Sequence, residues 1–186
     1  MLRSLSYVAV ALTAVAPALG QAQSADWPNR PITIVAGFPG GAGTDLYTRK
    51  MGESLTKDLG VAIVADSRTG AGGNIASDLV ARAAPDGYTL IFATASTQVI
   101  NPAFSKVPFD PVQDFTPVGM IGTSPLGLVI NSEVPASGVQ DLVVWLRANP
   151  GKVNFSSCGN MTVSHLAGEL FMLNTNTRML HIPYKG

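Results

Sequence analysis

Residues 32–45 read Ile32-Thr33-Ile34-Val35-Ala36-Gly37-Phe38-Pro39-Gly40-Gly41-Ala42-Gly43-Thr44-Asp45. The first five form a short β-branched run, a buried strand by length and composition. The glycines that follow let a backbone approach a ligand closely. A helix then opens, with Thr44 or Asp45 suited to cap it. A helix N-terminus offers free N–H donors and a partial positive charge, which suit an anion. The loop carries no Lys or Arg, so an anion held here would rest on backbone and hydroxyl donors. It is not a Walker A loop, because no Gly-Lys-Ser/Thr follows, and it does not fit G-x-G-x-x-G. Spacing alone leaves two readings open: a ligand cradle, or a tight strand-to-helix turn.

Outward from this stretch the pattern repeats. Leu46, Met51, Leu55 and Leu59 mark one face of a helix that stops at Gly60. Val61–Val64 is a second strand, followed by a second glycine-rich loop from Arg68 to Asn74. Ile75, Leu79 and Val80 begin a helix that ends before the turn Pro85-Asp86-Gly87. Thr89–Ala93 is a third strand with a hydroxyl-rich loop behind it: Thr94, Ser96, Thr97. Strands alternating with helices are the signature of a βαβ-based parallel sheet. Ligands of such sheets sit beyond the carboxyl ends of the strands. All three loops leave those ends and are expected to converge on one edge.

Pro102, Pro108, Pro111 and Pro117 predict an irregular surface connection with room for one helical turn. Val118–Ile121 and Leu126–Ile130 read as two strands, and a domain crossing is expected between them at Gly122-Thr123-Ser124-Pro125. A second α/β pattern follows. Ser137 and Gln140 form a capping box. Val139, Leu142, Val143 and Leu146 keep helical spacing as far as Asn149-Pro150-Gly151. Val153–Ser156 is a strand, Ser157–Thr162 a loop. Val163, Leu166, Ala167, Leu170 and Phe171 form an amphipathic helix, and Met179–Ile182 a last strand. The second unit then lacks a closing element, which would leave an open sheet edge. A fragment or a truncated reading frame is expected, unstable as it stands.

Arg3 and the apolar stretch Leu5–Leu19, ending in small residues, read as a cleaved secretory signal peptide over residues 1–22. The stretch is shorter than the ~20 residues of a spanning helix, which argues against an uncleaved anchor. Cys158 is the only cysteine, so no intramolecular disulfide forms. The formal net charge is +0 and no basic stripe appears, which excludes nucleic acid and anionic membrane surfaces as expected partners.

The chain resembles the Bug family, the TctC-like extracytoplasmic solute receptors of tripartite tricarboxylate transporters. The matching stretches run along the whole mature sequence. They include Trp27-Pro28-Asn29-Arg30-Pro31, Phe38-Pro39-Gly40-Gly41 with Thr44-Asp45, Gly70-Ala71-Gly72-Gly73-Asn74-Ile75, and Ala84-Pro85-Asp86-Gly87-Tyr88. Asn101-Pro102, Phe109-Asp110-Pro111 with Asp114-Phe115, Ala148-Asn149-Pro150-Gly151-Lys152, His165-Leu166-Ala167-Gly168-Glu169 and His181-Ile182-Pro183-Tyr184-Lys185-Gly186 complete them. Their order and spacing together are specific. The resemblance implies an α/β, two-lobed periplasmic-binding-protein fold of type II-like form, with lobe 1 over residues 26–122 and an incomplete lobe 2 over 126–186. It implies capture of a small carboxylate between the lobes, delivery to TctA/TctB-like membrane subunits, a periplasmic location and no cofactor. Two residues depart from the family pattern: Met161 where a small residue is usual, and Cys158 where alanine or glycine is.

With the resemblance, Pro39, Gly40, Gly41, Ala42, Gly43, Thr44 and Asp45 become the first jaw of the clamp. Thr94, Ser96 and Thr97 supply hydroxyls for carboxylate oxygens. Ser157, Asn160, Thr162 and His165, at the second helix N-terminus, form the opposite jaw. His165 has an alternative, a pair with Glu169 at i,i+4. Gly70–Asn74 is read more as a turn than as a wall of the cleft, with Arg68 pairing a surface carboxylate. Cys158 with His165 lacks a third orienting group, so no catalysis is expected. His165 and His181 stand in separate elements, so no metal site is expected. Two other readings stay open: a sensor component that signals through a membrane kinase, and a truncated fragment without function.

Overall fold

The computed structural model describes residues 26–184; the expected signal peptide lies outside them. Strand β1 (Ile32–Ala36) is the centre of a three-stranded parallel sheet, between β2 (Ile63–Ser67) and β3 (Thr89–Phe92). Its place explains its composition. Ile32, Ile34, Val35 and Ala36 are all buried, as a strand covered on both faces must be.

Helix α1 (Gly43–Leu59) links β1 to β2, and α2 (Asn74–Ala81) links β2 towards β3. Helix α1 buries Asp45, Thr48 and Gly52 and half-buries Met51, Leu55 and Leu59 of the face that spacing predicts. Leu46 is exposed. The reason is close approach: a Cβ on Gly52 would lie 3.2 Å from Ile63 Cγ2, so the helix rests on β2 along its smallest residues. Helix α2 likewise turns Ala76 and Ser77 inward and leaves Ile75 exposed.

A π-helical turn at Ser96–Ile100 runs into α3 (Asn101–Phe104), the single helical turn that the proline-rich connection allows. Phe109 and Phe115 meet edge to face at 5.8 Å. The Asp110 carboxylate accepts the Gln113 and Val112 amides at 2.9 and 2.8 Å, and these bonds hold its carboxyl below the usual range.

The two strands expected at Val118–Ile121 and Leu126–Ile130 do not form. Residues 116–130 run without helix or strand, and Val118, Met120 and Val129 are exposed. A strand exists through its hydrogen bonds to a neighbour, and among the described residues this stretch has none. Apolar and β-branched composition fits a strand but does not supply the partner.

The second unit holds α4 (Val139–Ala148), then β4 (Asn154–Ser157) and β5 (Leu180–Pro183) paired in parallel, with α5 (Val163–Thr175) between them. Leu142 and Leu146 are buried. Capping of α4 differs from expectation. Gly138 is the N-cap, and Ser137 donates through its amide to Asp141 rather than meeting Gln140. Hydrogen bonds from the Ser137 hydroxyl and amide hold the Asp141 carboxyl below its usual range. Helix α5 has no fully buried residue, because a two-stranded sheet covers only part of its apolar face. The Arg147 guanidinium fastens the two helices by donating to the Thr175 carbonyl at 2.6 and 3.1 Å.

Candidate functional site

The three loops that leave the first sheet do converge. A Cβ on Gly37, after β1, would lie 2.7 Å from Gly73 Cα, after β2. A Cβ on Gly73 would lie 2.4 Å from Thr97 Cγ2, after β3. Only glycine allows both approaches, and Gly73 also sits at φ 94, in the left-handed region. The buried Asn101 braces the assembly by donating from Nδ2 to the Gly72 carbonyl at 3.1 Å.

The second unit meets this edge through its own loop. The Asn160 carbonyl stands 3.3 Å from where a Gly72 Cβ would be. The Val163 amide, in the first turn of α5, donates to Ser96 Oγ at 3.1 Å. A groove of about 420 Å³ opens between the units. Gly70, Gly72 and Asn101 line one side, and Cys158, Asn160 and Met161 the other.

The first glycine loop is held from within. Asp45, at the third position of α1, folds back and accepts the Gly41 amide at 2.8 Å and Arg49 Nε at 2.9 Å. It is therefore a loop brace, while the N-cap position falls to Ala42, which has no side-chain bond. The Thr44 amide stands in the first turn, where α1 has no intrahelical acceptor for it. Thr44 Oγ1 is buried without a hydrogen-bond partner among the described residues. Pro39, Gly40, Gly41 and Gly43 are exposed and Ala42 half-buried.

Arg49 first, then the Gly41 amide, hold the Asp45 carboxyl below its usual range. The folded state therefore binds that proton more weakly than the unfolded chain. The stability this gives is present above the unfolded pKa of about 3.9 and is lost as pH falls through the lower folded value. Asp45→Asn should lower the melting temperature at pH 7 and lessen its fall towards pH 3. Equal melting at pH 7 in the two proteins would show that the brace contributes nothing.

The expected hydroxyl donors turn inward. Thr97 Oγ1 accepts the Thr94 amide at 3.1 Å, the two hydroxyls lie 3.4 Å apart, and Thr97 and Ser96 are buried. Ser96 meets the second unit. In the other loop, Ser157 and Thr162 are also buried braces. Ser157 Oγ accepts the Gly159 amide at 3.1 Å and lies 2.6 Å from His181 Nε2. Thr162 is the N-cap of α5, accepting the His165 amide and donating to the Gly159 carbonyl at 2.7 Å. His165 Nε2 lies 3.4 Å from Glu169 Oε1, the i,i+4 alternative, while Nδ1 accepts the Met161 amide at 3.2 Å. Met161 stands at φ 56, a left-handed conformation that costs an L-residue about 1–2 kcal/mol. That cost gives a physical reason for a small residue at this position.

The groove thus brings Asn160 together with residues that sequence reasoning undervalued. Gly70–Asn74 is a wall of it as well as a turn, and Asn101, noted only as part of the family pattern, lines it too. Their signal was available in part: Gly70, Gly72 and Gly73 all take positive φ, more than a simple turn needs. Arg68 pairs with Asp66 at 2.9 Å, as expected. Asn160 is exposed, and no lysine or arginine lines the groove among the described residues.

One neutral glycine-rich loop, Gly70–Asn74, faces the Cys158–Met161 loop before α5 across the groove, and comparison with known proteins places this arrangement in a family. Residues 47–186 match the model of the tripartite tricarboxylate transporter family receptor, TctC. The chain belongs to that family. BugT of Bordetella pertussis is 37% identical over 166 residues, which cover 88% of this chain and 51% of BugT. A protein from the tcbD–tcbE intergenic region of Pseudomonas sp. strain P51 is 36% identical over 99% of this chain and 54% of its own. An R. palustris protein solved with adipate superposes with a TM-score of 0.84 at 34% identity, over 87% of this chain and 54% of that one. MatC of Rhodopseudomonas palustris, solved with bound malate, gives 0.79 at 30% identity, over 86% and 55%. The TctC receptor fold is thus the α/β periplasmic-binding-protein fold, and this chain spans about half the length of the relatives it matches. Among the described residues, no helix is long and apolar enough to cross a membrane.

Proposed function

We propose that this TctC-family chain contributes to a periplasmic receptor that takes a small carboxylate between its two α/β units and hands it to a tripartite tricarboxylate-type transporter. The observation that carries the reading is the meeting of three strand-end loops with the first turn of α5 across one groove. The groove itself is neutral and carries the exposed Asn160, whereas the expected first jaw, Pro39–Asp45, does not line it. Neutral donors and helix N-termini hold an anion without a matched cation, so release stays easy. The adipate and malate of the two solved relatives fit this chemistry. Binding without bond making is the whole activity; the lone Cys158 is exposed and its amide, not its thiol, is engaged, with Ser164 Oγ.

Isothermal titration of this chain against malate, adipate, succinate, citrate, glutamate, nicotinate and terephthalate tests it. Saturable heat with at least one carboxylate is expected, and removing the Asn160 side chain (Asn160→Ala) should weaken it about tenfold, the worth of one hydrogen bond to a charge. No heat with any of the seven would count against the reading.

A further inference from the structure

Both ends of the Ser157–Met161 loop are fastened to imidazoles. His181, on β5, meets Ser157 at 2.6 Å, and His165, on α5, meets the Met161 amide at 3.2 Å. The two rings stack on each other at 3.9 Å with 9° between their planes, and Phe155 of β4 stacks on His181 at 4.8 Å. The Met161 bond fixes a tautomer. An N–H donor needs a bare nitrogen opposite it, so Nδ1 of His165 carries no proton. The proton of the neutral ring is then on Nε2, which lies 3.4 Å from Glu169 Oε1. Met161 holds φ 56, which a side chain disfavours, and this bond is what the loop gains by it.

We propose that His165 is a positioning residue: its unprotonated Nδ1 holds the Cys158–Met161 wall of the groove in shape, and a proton on the ring releases that wall. The binding consequence rests on the receptor reading above. The chemistry is local. A second proton can enter the ring only at Nδ1, where it would face the Met161 N–H, donor against donor. The groups facing His165 among the described residues set which ring takes the proton. Glu169 on its own helix favours a charged ring; His181 on β5 is the stacked competitor; Phe155 on β4 is uncharged. Burial, and then the neighbouring His165, depress proton uptake by His181, with Glu169 acting the other way. Rings this close do not both charge readily, so a proton on one opposes a second.

The test needs no ligand and uses the full chain. Ring-¹⁵N spectra should show His165 as the Nε2–H tautomer at pH 8. Protonation of the ring on acidification should lower the protection of the Met161 amide against hydrogen exchange about tenfold. A fluorinated tag on Cys158, the only cysteine, should report the loop change with the same midpoint. His165→Asn keeps an acceptor near the Nδ1 position, so it should retain the pH 8 protection and lose the pH dependence. His165→Ala should lose the protection at every pH, and adding Met161→Gly, which tolerates φ 56 unaided, should restore the loop signal. An Nδ1–H tautomer at pH 8, or a tag signal that does not follow the imidazole titration, would overturn the proposal. Because no carboxylate is added, this outcome is separate from success or failure of the binding titrations.

Discussion

Gly73→Ala should destabilise the first unit by about 2–5 kcal/mol, the sum of overpacking and a left-handed residue with a side chain. The new Cβ would sit 2.4 Å from Thr97 Cγ2. Thr97 cannot swing aside, because it is buried and its hydroxyl is bonded within the Thr94 turn. The added Cβ would also touch Gly37, 3.7 Å from its Cα, which leaves little room to shift sideways. Gly60→Ala is the matched control. It too has a positive φ, 72, but nothing stands within 4 Å of its Cβ. Only the conformational cost of about 1–2 kcal/mol should appear there. Denaturant midpoints at constant slope would measure both. If the two substitutions cost the same, the three loops are not in contact and the site described above does not exist in that form.

Leu146→Ala should cost a further 2–5 kcal/mol, at about the usual price of an emptied core position, but in the second unit. Leu146 is 0% exposed, and Leu142 is the only other buried apolar side chain of that unit among the described residues. With so small a core the loss should not spread evenly. Amides of β4 and β5 should exchange quickly in the variant, while Ile34 and Val35 in β1 stay protected. Equal loss of protection in both sheets would mean that the units fold as one and that the small second core is not independent.

Much of the first unit was legible because its signals are local. The β-branched run Ile32–Ala36 coincides with β1, and glycine punctuation placed the helices that follow. The convergence of the three loops also followed from parallel topology alone. What could not be read depends on distant partners. Helix α1 keeps Leu55 and Leu59 half-buried, but its close seat on β2 puts Gly52 at the contact and leaves Leu46 outside. The apolar stretch 118–130 has strand composition, yet no strand pairs with it among residues 26–184. In the candidate site, residue types were a better guide than their roles. Asp45, Ser157 and Thr162 were singled out as ligand contacts, but their polar atoms bind the loops themselves. Asn101 was noted only as part of the family pattern, because one asparagine before a proline does not mark a site; only the fold brings it against Gly72.

The unpaired stretch at residues 116–130 has a consequence for how the two jaws meet. Fifteen residues reach at most ~50 Å even when fully drawn out. They therefore keep each unit at an effective concentration on the order of millimolar with respect to the other. A contact as slight as Ser96 with the Val163 amide would be negligible between separate molecules. On a leash of this length it is a unimolecular event, whose equilibrium does not change with the concentration of the chain.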